Sequence, residues 1–194
     1  MNNELLRSLN LNPQMQTVDS AATYPGCPVI ARTVQIGGET KAELLARLAQ
    51  RGVELNESAR VLFTSDKFIT SEVRGHLRTV ELQVRNLGFP QGATPSEVYA
   101  SAMRLGLGLC PMELGPHLRL QFLDQPEGFV GQPVWQNRHP PGAIVIASES
   151  LSEDDEFPKG FYLRRIQGTL WLRGYRCRRE HICDPEDHFV FSQP

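Results

Sequence analysis

The chain has 194 residues, of which 40% are hydrophobic, and its 20 basic and 22 acidic side chains leave a net charge of −2. A chain of this size and composition can bury one substantial core, and its charge balance argues against a nucleic-acid binder that is basic over its whole surface. No apolar run approaches the ~20 residues that cross a bilayer, and the first residues lack the layout of a secretory signal, so we expect a cytoplasmic protein with no membrane partner.

The first predicted elements are an arm and a strand. Residues 1–28 contain few large apolar side chains and are predicted to form a flexible arm, with a short helix near residues 4–9. Apolar side chains alternate along Val29–Ile36. This alternation predicts a strand that ends at the Gly37–Gly38 pair.

Two segments, 40–55 and 94–109, have the same pattern at a constant offset of 54 residues. Each begins with a Thr followed three residues later by a Glu, which together form a capping box, and each has a Gly where its helix ends. The identical positions are Thr40/Thr94, Glu43/Glu97, Ala46/Ala100, Gly52/Gly106 and Leu55/Leu109. A strand is predicted before each copy, so the sequence indicates a duplicated strand-helix unit. After the first copy, Asn56 can begin a second helix.

The remaining predicted elements are mostly strands. Pro111 and Pro116 limit the segment between Leu109 and Leu118 to one short turn. A Gly- and Pro-rich stretch, 124–141, is predicted to be a long loop. Alternation predicts strands at Arg78–Arg85, Leu118–Phe122, Ala143–Glu149, Phe161–Ile166, Thr169–Tyr175 and His188–Ser192.

These elements define the fold class. We expect an α+β fold with a duplicated strand-helix unit in the N-terminal half and an antiparallel β-sheet in the C-terminal half. No low-complexity linker separates the halves. Residues 29–194 are therefore predicted to form a single domain, with 29–75 and 76–194 as the alternative division into subdomains.

The strongest candidate for a functional surface is the C-terminal hairpin. With a two-residue turn at Gln167–Gly168, the predicted cross-strand pairs are Ile166–Thr169, Arg164–Trp171 and Tyr162–Arg173. One face then carries aromatic and cationic side chains in turn, namely Tyr162, Arg164, Trp171, Arg173 and Tyr175. Aromatic rings stack on flat ligands and guanidinium groups hold anions, so this face is predicted to bind an anionic partner. The alternatives are that these residues only form cation–π pairs with one another, or that the acidic run Glu153–Glu156 neutralises them.

Cysteine and histidine residues give a weaker candidate site. The four cysteines are too widely spaced for a disulfide framework in a chain of this size. The candidate metal ligands are Cys177, His181, Cys183 and His188, whose residue types suit a tetrahedral site. The close Cys-x2–4-Cys pair of common zinc sites is absent, so the sequence predicts neither a metal here nor another cofactor.

A third candidate region combines a thiol, two carboxyl groups and an imidazole. Its candidate catalytic residues are Cys110, Glu113, His117 and Asp124. Nucleophilic catalysis needs the thiol within hydrogen-bond distance of a base; the alternative is that Cys110 and Pro111 only begin a turn. The phosphate-loop, dinucleotide and common hydrolase motifs are absent, so the sequence favours a non-enzymatic protein.

A longer motif overlaps the third candidate region. Residues 109–121 read Leu-Cys-Pro-Met-Glu-Leu-Gly-Pro-His-Leu-Arg-Leu-Gln, and further short motifs follow at 157–164, 168–175 and 187–191. Together they resemble a family of small uncharacterised bacterial proteins without an assigned activity. The resemblance extends over residues 30–192 and implies neither a mechanism nor catalytic residues.

Three functional hypotheses follow. In the first, the protein is a non-enzymatic binding module whose hairpin face meets an anionic partner, which is a small ligand, a protein or a nucleic acid. In the second, the helical pair at 40–63 binds nucleic acid, although acidic residues there balance the basic ones. In the third, the protein is an enzyme that uses the region from Cys110 to Asp124.

Overall fold

A computed structural model describes residues 22–128 and 140–194. The helices within these ranges are α1 (Lys41–Gln50), α2 (Glu57–Thr64), α3 (Pro95–Arg104) and α4 (Leu114–Gln121), with a short 3-10 helix at Val84–Leu87. The strands are β1 (Ile30–Ile36), β2 (Glu54–Leu55), β3 (Gly75–Gln83), β4 (Ile144–Ile146), β5 (Gly160–Ile166), β6 (Thr169–Tyr175) and β7 (His188–Ser192). These elements confirm the α+β class. No helix of the described ranges is long and apolar enough to cross a membrane.

All these strands belong to one sheet, in the order β1-β3-β7-β4-β5-β6-β2. The pairs β1–β3, β3–β7, β4–β5 and β5–β6 are antiparallel, but β4 runs parallel to β7 and β2 parallel to β6. The prediction of an antiparallel sheet in the C-terminal half is therefore wrong, because the sheet is mixed and contains strands from both halves. The last strand, β7, lies between β3 and β4 and joins the two halves.

The side chains of the sheet alternate between two core clusters. On the first face, α1, α2 and α4 pack against a cluster whose strand residues include Val34, Phe161, Leu163, Leu172 and Val190. On the second face, α3 and the 3-10 helix pack against Val80, Leu82, Val145, Phe189 and Phe191. Within the described ranges, the helices that pack on β5 and β6 are α2 and α4. These two strands are therefore covered by helices from the first face.

The two copies of the predicted repeat agree in their helices and differ in their strands. Helices α1 and α3 have 10 residues each and begin with complete capping boxes, at Thr40–Glu43 and Thr94–Glu97. Gly52 and Gly106, which follow them, have φ values of 66° and 82°, a conformation that L side chains rarely adopt. However, the chain forms a 3-10 helix at Val84–Leu87, where the offset requires a strand. The structure therefore does not confirm a duplicated strand-helix unit.

Helix α4 corrects the prediction for the middle of the chain. The predicted strand at Leu118–Phe122 is wrong, because most of it is the end of α4, and the residues before it form more than one short turn. Pro116 is tolerated because it is the third helical residue, whose missing N–H has no acceptor within the helix. Every residue of α4 except Gln121 is buried, so no polar face marks the helix in the sequence. An added Cβ at Gly115 would lie 2.9 Å from the side chain of Phe161, so only glycine allows α4 to approach β5 this closely.

Two other strand predictions differ at their ends. Strand β3 ends at Gln83 instead of Arg85 because the chain turns into the 3-10 helix there. Strand β4 covers only Ile144–Ile146 of the predicted Ala143–Glu149.

The predicted arm and the predicted long loop lie partly outside the described residues. Residues 1–21, with the predicted helix near residues 4–9, and residues 129–139 are outside them. The described end of the arm is attached to the fold, because the Tyr24 N–H donates to the Asn86 carbonyl at 2.8 Å and Cys27 is buried.

Asn56 joins the start of α2 to β6, which confirms the predicted helix start. Its Oδ1 accepts hydrogen bonds from the N–H groups of Ala59 at 3.0 Å and Gly174 at 2.8 Å. Its Nδ2 donates to the Gly174 carbonyl at 2.9 Å. One side chain therefore caps a helix and satisfies both backbone groups of a strand residue.

Replacement of Asn56 should show how much this junction stabilises the fold. We expect Asn56→Ala to lower the free energy of unfolding by about 1–3 kcal/mol, because the helix cap is lost and both Gly174 backbone groups lose their partner. Asn56→Asp should cost less, since its oxygen still accepts both hydrogen bonds. Urea unfolding measures the difference, with the exposed amide variant Gln50→Ala as control. Equal stability of Asn56→Ala and the wild type would contradict this role.

Candidate functional site

The hairpin β5–β6 has the predicted register. Its Cα partners include Ile166–Thr169, Arg164–Trp171 and Tyr162–Arg173. The turn residues Gln167 and Gly168 have φ values of 51° and 75°, which is typical of a type I′ hairpin turn. Because side chains alternate along each strand, Arg164, Trp171 and Arg173 project together from the second face of the sheet.

The two tyrosines of the predicted surface belong to the core instead. Tyr162 is buried, and the ring of Tyr175 packs beside it with 6.4 Å between centroids. Both contribute to the core cluster of the second face. Arg164, Trp171 and Arg173 are half-buried. These three residues are called the hairpin face below.

The hairpin face concentrates positive charge. The Arg173 guanidinium lies over the Trp171 ring, 5.0 Å from its centroid. Burial lowers the pKa of the Arg164 guanidinium, the nearby Tyr162 opposes that shift, and the positive charge of Arg173 adds to it. No carboxylate of the described residues lies within ion-pair distance of Arg173. The two arginines therefore repel each other, and a bound anion would relieve that repulsion.

The acidic run Glu153–Glu156 forms ion pairs with other cations. Glu153 pairs with Arg179 at 2.5 Å, and the Asp155 Oδ1 lies 3.9 Å from the Lys159 Nζ. Lys159 also donates to the carbonyls of Ser152 and Asp154, at 3.1 and 2.9 Å. These contacts neutralise cations outside the hairpin face.

The structure does not gather the four catalytic candidates into one site. Cys110 is buried, with its Sγ 3.5 Å from the Val190 carbonyl, and burial raises its pKa to about 12. The thiol therefore stays protonated at neutral pH. Asp124 is exposed beyond the end of α4. Glu113 and His117 are neighbours, with Oε2 and Nε2 3.7 Å apart.

Glu113 and His117 attach two loops to α4. The His117 Nε2 accepts a hydrogen bond from the Gly37 N–H at 3.1 Å, and the Glu113 Oε2 accepts one from the Ser71 N–H at 3.0 Å. Burial raises the pKa of Glu113 and lowers the pKa of His117, so burial favours the neutral form of each. Both side chains are used to bind backbone groups of the protein itself.

Two basic residues of the helical pair at 40–63 are already bound to other groups of the protein. Arg47 forms an ion pair with Glu39, and the Lys41 Nζ donates to the Ser65 carbonyl at 2.8 Å. Arg51 and Arg60 are exposed and form no ion pair with a carboxylate of the described residues. The geometry therefore supports nucleic-acid binding here less than anion binding at the hairpin face.

The four candidate metal ligands also lie in different places. Cys177 and His181 are half-buried in the segment after β6, Cys183 is buried beside Ala93, and His188 begins β7. In the described part of the chain, no group of three or more His, Cys, Asp or Glu residues has an arrangement that would hold a metal ion.

An ionic cluster around the buried Glu81 carboxylate joins residues that the sequence did not indicate as neighbours. The Glu81 side chain is 3% exposed; its Oε1 lies 2.7 Å from the His188 Nδ1 and its Oε2 2.7 Å from the Arg32 Nη1. Burial acts to raise the pKa of Glu81, but hydrogen bonds from His188 and Arg32 outweigh it and the pKa lies below its usual value. The three residues come from β3, β7 and β1, so only the strand order brings them together.

Comparisons of the chain with protein-family models, with curated proteins and with solved structures found no match. The family resemblance of the motif at 109–121 therefore stays a prediction.

The Glu81 cluster should make stability depend on pH. We expect Glu81→Gln to lower the free energy of unfolding by about 1–3 kcal/mol at neutral pH, because Arg32 and His188 lose their charged acceptor. The folded pKa of Glu81 lies below its ordinary value of 4.5, so its contribution is present above that pH and lost as the pH falls through the folded pKa.

Urea unfolding at several pH values checks this. The stability difference between the wild type and Glu81→Gln should shrink below about pH 4, whereas the exposed control Glu72→Gln should stay close to the wild type throughout. A difference that does not change with pH would show that the carboxylate charge is not what stabilises the cluster.

The cysteines should differ sharply in reactivity. Cys27, Cys110 and Cys183 are buried and Cys177 is only half-buried, so a thiol reagent should label the native protein at Cys177 alone. Labelling should be slow, because burial raises the pKa of Cys177 to about 11. Mass spectrometry of native and unfolded protein measures this, and Cys177→Ser should abolish native labelling. Rapid labelling of Cys110 in the native protein would instead support the enzymatic hypothesis.

Proposed function

We propose that the protein is a non-enzymatic binding module that takes up an anionic partner on its hairpin face. The observation that carries the proposal is the register of β5 and β6, which sets two guanidinium groups and an indole ring side by side on strands that helices cover from the opposite face. Guanidinium groups offer several N–H donors in a plane and bind carboxylates and phosphates in pairs of hydrogen bonds.

Arginines elsewhere in the protein form ion pairs with carboxylates. Arg32 and Arg85 have carboxylate partners at 2.7 and 2.6 Å. Arg173 instead contacts the Trp171 ring and hydrogen-bonds to Tyr162. A cation–π contact of this kind contributes about 0.5–1 kcal/mol at an exposed site and uses the face of the guanidinium, which leaves N–H donors at its edge for a ligand.

The proposal predicts salt-dependent binding of a simple polyanion. We expect inorganic polyphosphate to bind the wild type with an affinity that falls as salt is raised, and Arg164→Gln with Arg173→Gln to bind it at least about tenfold more weakly, as expected for loss of charge-assisted hydrogen bonds. Isothermal titration calorimetry measures binding. Glutamine keeps much of the apolar stem, so the free energy of unfolding should change by less than about 1 kcal/mol.

The matched control replaces two exposed arginines elsewhere, Arg51→Gln with Arg60→Gln, and changes the net charge by the same amount. It should retain most of the binding. Equal loss in both double variants would show that net charge alone attracts the polyanion, and undiminished binding by the hairpin variant would exclude the hairpin face as the site.

A further inference from the structure

Strand β1 forms one edge of the sheet, and part of that edge is open. Within the described ranges, the strand that pairs with β1 is β3. At one end of β1, the Gln121 side chain binds both backbone groups of Gln35. At the other end, the chain is preceded by Pro28, which has no N–H to offer a neighbouring strand. The residues between these two limits, 29–34, are called the open segment below.

The backbone of Gln35 shows which groups of the open segment point outward. In an antiparallel pair, successive residues of a strand direct their N–H and C=O groups to alternate sides. Gln35 directs both groups away from β3, because they are bound by the Gln121 side chain. Thr33 and Ala31 follow at the two-residue period, so their backbone groups also point away from β3. In the described part of the chain, these groups have no hydrogen-bond partner.

The neighbouring strand supports this assignment. Arg78 is the cross-strand partner of Thr33, but its carbonyl accepts a hydrogen bond from the Gln193 N–H at 2.8 Å. Gln193 directly follows β7, which pairs with β3 on the side opposite β1. Arg78 therefore directs its backbone groups to β7 and leaves those of Thr33 unbound.

The side chains of the open segment do not protect it from pairing. Protected edges carry lysines or inward-pointing charges, whereas the open segment is rich in β-branched residues and has one charged residue, Arg32. Arg32 forms an ion pair with Glu81 at 2.7 Å and lies over the Phe122 ring, 4.5 Å from its centroid. Val29 and Ile30 are apolar, yet they are 40% and 49% exposed. The open segment thus has the composition of a strand that pairs on both sides.

We propose that the open segment pairs antiparallel with the same segment of a second copy of this chain, about a two-fold axis at Ala31. A two-fold axis brings two identical strands together in opposite directions, so each copy supplies the hydrogen-bond partners that the other lacks. Arg32 does not oppose this association, because its charge is already paired with Glu81.

Charge and the Gln121 contact select the position of the axis. An axis at Thr33 would place Ala31 opposite Gln35, whose backbone groups are already bound. An axis at Arg32 would set the two Arg32 side chains directly opposite each other, where like charges destabilise a strand pair. An axis nearer the start of β1 would leave Thr33 unpaired. An axis at Ala31 avoids all three problems.

This register also covers the exposed apolar side chains. It places Val29 opposite Thr33 of the second copy and Ile30 opposite its Arg32, so both apolar residues gain a cross-strand neighbour. The paired stretch is short, and we expect it to bury less than the roughly 1,200 Å² of a stable interface. The dimer should therefore dissociate on dilution.

Analytical ultracentrifugation of the full chain between about 1 µM and 1 mM tests the association, since weak protein complexes form in this range. We expect the wild type to change from monomer to dimer as its concentration rises. Ala31→Lys should weaken the dimer at least about tenfold, because the two lysines would lie directly opposite each other. Ala31 is exposed, so thermal unfolding of this variant should stay close to that of the wild type.

The matched control is Gln35→Lys. Gln35 is exposed on the same strand and the same face as Ala31, and its replacement changes the net charge by the same amount. It lies outside the paired residues, so this variant should dimerise like the wild type.

Disulfide formation tests the register. The Cα atoms of a directly opposed hydrogen-bonded pair are about 5.5 Å apart, a separation that a disulfide spans. In a Cys177→Ser background, which removes the cysteine that is not buried, Ala31→Cys should therefore form a covalent dimer under mild oxidation with diamide. Thr33→Cys should not, because Thr33 lies opposite Val29 of the second copy.

Three results would overturn the proposal. The first is a monomer at every concentration, and the second is equal dimerisation of Ala31→Lys and Gln35→Lys. The third is a covalent dimer formed by Thr33→Cys and not by Ala31→Cys. Each of these results leaves anion binding at the hairpin face untouched, because that surface lies on β5 and β6.

Discussion

Helix α4 lies between the sheet and α1 with almost every side chain out of water, so each of its polar groups needs a partner inside the protein. These hydrogen bonds attach the neighbouring loops to α4. Glu113 and His117 bind the backbone of two loops, and the fully buried Arg119 donates to the Gln125 side chain and the Phe122 carbonyl. Burial lowers the pKa of Arg119 to about 10.

The last residue of α4 protects an edge of the sheet. Strand β1 pairs with β3 on one side, and the Gln121 side chain exchanges two hydrogen bonds with the backbone of Gln35, at 3.0 and 2.7 Å. The amide thus satisfies strand groups that another chain would otherwise find open. Helices α1, α2 and α4 all pack on the first face, and the hairpin face lies on the second face of β5 and β6.

Features encoded within a few residues could be predicted from the sequence. The capping boxes at Thr40 and Thr94, the start of α2 at Asn56 and the register of the β5–β6 hairpin depend on local spacing and turn chemistry. The bounds of β7 followed from local alternation in the same way.

Features that depend on distant contacts could not be predicted. Helix α4 is buried on all sides, and Leu118, Leu120 and Phe122 alternate with polar residues as they would in a strand, so its period is ambiguous. The place of β7 beside β3 and β4 has no local signal, and the Glu81 cluster exists only because of that strand order. The tyrosines of the hairpin have the right alternation for an outward face, but the core of the second face extends over them.

The net charge of the chain does not show how its individual charges are distributed over the fold. Acidic residues outnumber basic ones, yet many carboxylates are already paired within the fold: Glu81 with Arg32, Glu186 with Arg85, Glu127 with Arg165 and Glu153 with Arg179. Exposed charges farther apart than about 8–10 Å are largely screened at physiological salt, so distant acidic residues do little to cancel the positive potential of Arg173. A chain that is weakly acidic overall can therefore still bring two guanidinium groups together, as the β5–β6 hairpin does with Arg164 and Arg173.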